Sequence, residues 1–93
     1  SRTKEQKRAE AEERNRLYRA KKEFVDRLAL CEAEISESES RKAEINDMLC
    51  SPEVLCDSER IKNLMIESSG LDQKLKVLYD EWEDLSTKIE EIK

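Results

Sequence analysis

Nine Lys and Arg side chains crowd the first 22 residues of this chain against four Glu, and they are its best candidates for chemistry. On a helix turning about 100° per residue, Lys4, Lys7, Arg8, Arg14, Arg19, Lys21 and Lys22 fall within an arc of roughly 160°, and no Glu enters it. Such a strip suits a phosphate backbone, because each cation that neutralises a phosphate releases a counterion. The competing reading is a solvated face, partly used in ion pairs with Glu90 and Glu91. With almost no aromatics in the arm, base stacking is not offered, and a ligand would be held through its backbone or shape.

The thiols are the second set. Cys31, Cys50 and Cys56 make an odd number with no secretory pattern, which argues for free thiols in a cytosolic protein. Without any His, a tetrahedral zinc site would need carboxylates or a second chain, so no metal is expected. Neither a Ser/His/Asp set nor a Cys/His set exists, and the single Gly excludes a phosphate-cradling loop. The expectation is therefore a stretch with no catalytic site, no cofactor of its own and no small-molecule substrate. Apolar runs are too short to span a bilayer.

The elements that must position these groups follow from the rest of the chain. With 44% charged residues, one Gly and one Pro, 93 residues are too polar for a compact globular core. Disorder is the rival reading, but disordered segments lack sustained heptads. One apolar ladder runs Leu17, Phe24, Leu28, Cys31, Ile35, Ile45, Leu49, with polar Ser38 and Lys42 in two slots. A second runs Ile61, Leu64, Ser68, Leu71, Leu75, Leu78, Trp82, Leu85, Ile89, Ile92. The two mirror each other about Pro52: 49 faces 61, 45 faces 64, 35 faces 75, 28 faces 82, 24 faces 85 and 17 faces 92. The fold class predicted is all-α, an antiparallel two-helix coiled-coil hairpin with a short helical turn at its tip. A parallel homodimeric coil would leave both the mirror and Pro52 unexplained.

Residues 1–16 then form a basic arm that extends helix 1 beyond the last rung, and residues 17–93 form the hairpin. Helix 1 runs to about residue 50, the tip spans 51–57 and helix 2 spans 58–93. Ser51-Pro52-Glu53 supplies an N-cap, a proline at the first helical position and an early acid, and Asp57 or Ser58 caps the second helix. Trp82 opposite Leu28 and Phe24 opposite Leu85 should anchor the register in the seam, with Tyr18 and Tyr79 on packing edges. Ser36, Ser38 and Ser40 lie across from Ser68, Ser69 and Gly70, which marks a candidate weak point or bend. Charge divides sharply: residues 1–22 carry +5 (nine cations, four acids) and residues 23–93 carry −10 (nine cations, nineteen acids).

In order and spacing, Lys4-Glu5-Gln6-Lys7-Arg8 through Ala11-Glu12-Glu13-Arg14-Asn15-Arg16, the tip Ser51-Pro52-Glu53-Val54 with Asp57-Ser58-Glu59-Arg60, and Tyr79-Asp80-Glu81-Trp82-Glu83-Asp84-Leu85 resemble the C-terminal coiled-coil domain of ABC-F ATPases of the Uup-like type. The resemblance implies a cytoplasmic parent with two ATP-binding cassettes upstream, using ATP and Mg, with no transmembrane domain and a role on ribosomes and translation. For the Uup type it implies DNA binding by the coiled coil and support of the parent's activity. Carried over by position, a DNA or ribosomal RNA contact falls on Lys4, Lys7, Arg8, Arg14, Arg19 and Lys22. The alternative is a structural module that docks on its own upstream ATPase domains or self-associates.

Overall fold

Helix formation starts where Thr3 can cap it: the Thr3 hydroxyl accepts from the Gln6 N–H, and the Gln6 side chain accepts from the Thr3 N–H, a reciprocal capping box. With no Gly or Pro to interrupt it, α1 runs unbroken over Lys4–Met48. Leu49 closes it, two residues' worth of slack before the start of α2 (Pro52–Leu55), where Ser51 stands at the N-cap and Pro52 in the first turn. The Asp57 carboxylate then accepts from the Arg60 N–H to start α3 (Ser58–Glu91). The computed structural model describes residues 2–92, which form an antiparallel helical hairpin 80 Å long and 15 Å across. Helix 1 was expected to about residue 50 and helix 2 to residue 93. In the structure Met48 and Glu91 are the last helical residues, Ile92 is extended, and Lys93 lies outside the described residues.

The mirrored ladders meet as the rungs predict. Near the tip, Ile45 and Leu64 are buried with half-buried Met48, Leu49, Ile61 and Leu71 around them. Toward the open end, Cys31, Leu78 and Leu85 form a second cluster with Phe24, Leu28 and Ile35. Ile45 and Leu85 are sealed completely, at 0% exposure. The short α2 adds Val54, 2% exposed, to the first cluster, so the tip is a plug in the end of the seam and not merely a connection. Pro52 serves this by fixing the backbone of the one turn that carries Val54 inward.

Trp82 departs from the expected seam. Cys31 with Leu78, and Leu85 with Phe24 and Leu28, fill the seam on either side of it. A seam between only two helices has no depth for an indole, so Trp82 stays 38% exposed on the flank, beside Tyr79 and Ile35. The serine-rich middle likewise does not interrupt either helix. Ser38 is buried in the seam at 3% exposure, where a small side chain lets the helices approach. Just beyond it, ion pairs of Arg41 with Glu67 and of Lys42 with Asp72 tie α1 to α3.

Candidate nucleic-acid interface

Ile92 meets Leu17 at the open end, and α1 continues past that rung with no packing partner among the described residues. A 45-residue helix rising about 1.5 Å per residue is roughly 68 Å long, against about 51 Å for the 34 residues of α3. The difference is the arm. Every predicted site residue, Lys4, Lys7, Arg8, Arg14, Arg19 and Lys22, is exposed, as is Lys21. Because all seven share one uninterrupted helix, the sequence arc survives as a physical strip.

Ion pairing sorts these cations. The Lys22 ammonium donates to Asp26 on its own helix at 3.0 Å, and that bond raises its pKa. Arg2 pairs with Glu10, and Arg16 pairs with Glu13 at 2.6 Å, both off the strip. Among the described residues, Lys4, Lys7, Arg8, Arg14, Arg19 and Lys21 form no ion pair, and none of the strip reaches Glu90 or Glu91. The expected cross-helix pairing at this end is therefore corrected: the one strip cation that is paired, Lys22, is paired along α1. At the same end Lys88 instead lies over the Phe24 ring, 5.6 Å from its centroid, and bonds Asp84.

The strip also holds something that sequence reasoning missed. Tyr18 is not a packing edge; it is 69% exposed and lies between Arg14, Lys21 and Lys22 on the strip itself. Open hollows of about 340 and 260 Å³ border it, one shared with Leu17, Lys21 and Ile92, the other with Lys22 and Val25. Its helical angle, computed as for the cations, was the signal that could have found it. An aromatic face bracketed by three cations can stack a base while the cations hold phosphate.

The thiols are free. Cys31 is buried, its Sγ donating to the Leu78 carbonyl at 3.2 Å, and burial, followed by the nearby Glu81, Glu34 and Glu32 carboxylates, pushes its pKa up. Cys50 and Cys56 are exposed at the tip.

Residues 16–87 match the family described as the ABC transporter C-terminal domain. The chain belongs to that family. The matched span covers most of the hairpin, beginning one residue before the Leu17 rung and stopping short of Ile89 and Ile92, and most of the basic arm precedes it. Over 42 residues, 45% of this chain, the sequence is 40% identical to YdiF of Bacillus subtilis (strain 168), provisionally named an ATP-binding protein. That stretch is 6% of YdiF, so the chain corresponds to a small part of its relative. No solved structure matches the chain. Both likenesses are consistent with the C-terminal domain of an ABC-F-type ATPase. None of its described helices is long and apolar enough to cross a membrane.

Proposed function

We propose that this domain gives a cytoplasmic ABC-F ATPase, whose upstream cassettes bind ATP and Mg, a contact to nucleic acid that is indifferent to base sequence. The observation that carries this reading is the one-sided row of exposed cations on a helix that outruns its partner, six of them without an ion pair among the described residues. Lys4, Lys7, Arg8, Arg14, Arg19 and Lys22 meet phosphates, and the hairpin holds the row straight. The acidic remainder of the chain, at −10, repels the same polymer and confines contact to the arm. Tyr18 favours unpaired nucleotides of DNA or ribosomal RNA over a closed duplex, since only an open base can lie on its ring.

Fluorescence anisotropy with labelled single strands and duplexes of unrelated sequence tests this. Affinities should be similar across sequences and fall with salt at a log–log slope of about −0.9 per phosphate neutralised on duplex DNA, less on single strands. The triple variant Lys7→Glu/Arg8→Glu/Arg14→Glu should lose most of the binding while keeping its helical circular dichroism. Undiminished binding by that variant would remove the strip from the mechanism. No binding by the parent chain even at low salt would favour the second reading, docking on its own ATPase domains.

A further inference from the structure

One face of α1 is written so that its two halves are complementary. At about 100° per residue, Arg14, Tyr18, Lys21, Val25, Glu32, Ser36 and Glu39 fall within roughly 60° of one another, on a line beside the seam. Cations occupy the N-terminal half and carboxylates the C-terminal half. Between them, Tyr18 and Val25 are 69% and 44% exposed, an apolar centre with nothing on it.

The acidic half is more than a run of charge. With α3 it borders an open groove of about 330 Å³, in which Trp82, Tyr79 and Ile35 supply apolar surface and Glu32, Glu39 and Glu83 supply carboxylates. The Tyr79 hydroxyl donates to Glu39, which fixes that ring and raises the Tyr79 pKa. The side-chain carboxylates of Glu32 and Glu83 have no hydrogen bond or ion pair among the described residues. An indole face beside free carboxylates suits a guanidinium, which stacks and bonds at once where an ammonium can only sit as a point charge. Arg14 carries such a group, unpaired, on the same face. Within one chain the two cannot meet, because 18 residues of unbroken helix hold them about 27 Å apart.

We propose that, in the chain free of nucleic acid, this face of α1 pairs antiparallel with the same face of a second copy, so that Arg14 of each enters the Trp82 groove of the other and the dimer and nucleic acid compete for Arg14 and Tyr18. A two-fold axis near Val25 achieves this: it sets Val25 against Val25, Lys21 and Tyr18 toward Glu32, and Arg14 toward the stretch between Glu32 and Glu39. The contact is isologous, as a closed dimer requires, and both grooves are filled by one operation. The acidic hairpin and the basic arm, which repel their own kind, thereby meet their opposites.

Sedimentation of the full chain at low ionic strength tests the proposal. The weight-average mass should climb from 10.9 kDa toward twice that value with concentration and return to monomer as salt rises. Arg14→Glu alone and Glu32→Arg alone should each weaken association by about tenfold or more. The double variant Arg14→Glu/Glu32→Arg inverts the pair and should recover much of it. In a Cys50→Ser/Cys56→Ser background, Val25→Cys should cross-link between copies on mild oxidation. A chain that stays monomeric at low salt overturns the proposal. So does association that ignores both single variants, fails to recover in the double variant, or gives no Val25→Cys cross-link.

Discussion

Arg41 on α1 holds Glu67 on α3 through two bonds, Nε to Oε2 at 2.6 Å and Nη2 to Oε1 at 2.9 Å, and its Nη1 also donates to Glu44 at 3.0 Å. A fork this complete is the arrangement in which an exposed ion pair matters, since the planar guanidinium is preorganised for both carboxylate oxygens. The pair stands beside the serine-rich stretch, where the apolar seam is thinnest.

Its pH dependence follows in sign. The Arg41 bond holds the Glu67 pKa below the ordinary 4.5, so the pair's contribution is present above about that value and is lost as pH falls through the lower folded value. Thermal melts by circular dichroism between neutral pH and strong acid should show the hairpin weakening in that window. Glu67→Gln should melt lower at neutral pH and show a shallower acid dependence.

Gly70 is the cheapest place to stabilise the rod. It sits inside α3 without positive φ, and a Cβ built there meets nothing within 4 Å. Gly70→Ala should therefore add about 0.5 to 1 kcal/mol, because Ala has less backbone freedom to lose on folding. A melting temperature raised by several degrees is the expected reading.

The three thiols should separate cleanly in reactivity. Cys50 and Cys56, exposed at the tip, should titrate at once with a disulfide reagent. Cys31 is buried against Leu78 with a raised pKa, and should react only as denaturant opens the seam. Its stabilising preference for the neutral thiol holds below the ordinary value of 9.0 and is lost as pH rises through the higher folded value.

Tyr18 distinguishes stacking from simple charge attraction. Tyr18→Ala should weaken single-strand binding by about 1 to 3 kcal/mol and leave the salt slope nearly unchanged. Duplex binding should respond far less.

Much of the hairpin was legible because its signals are local or periodic. Heptad spacing placed Ile45 against Leu64 and Cys31 within the seam, and Ser51-Pro52 with Asp57 announced the tip. Val54 was not, because one turn of helix has no periodicity to read; its burial depends on where Pro52 aims it. The position of Trp82 depends on seam depth, which a rung count does not carry: the register was right and the indole was too large for the space. Lys22 choosing Asp26 over α3 is a contest between a neighbour four residues away on the same helix and acids across a gap, and the near partner costs less to order. The cationic strip could be drawn from helical angles, and the same angles place Tyr18 on it, but its 69% exposure depends on side-chain packing that angles alone do not carry.

The unbroken course of α1 makes the molecule a lever. Basic arm and Pro52 tip share one stiff shaft about 68 Å long, with no hinge between Lys4 and Met48 to absorb a rotation. Tilting the arm by about 10° on whatever surface it grips would sweep the tip through roughly 12 Å. Where the arm is footed thus decides where the tip points, and an object held at either end reports its orientation to the other.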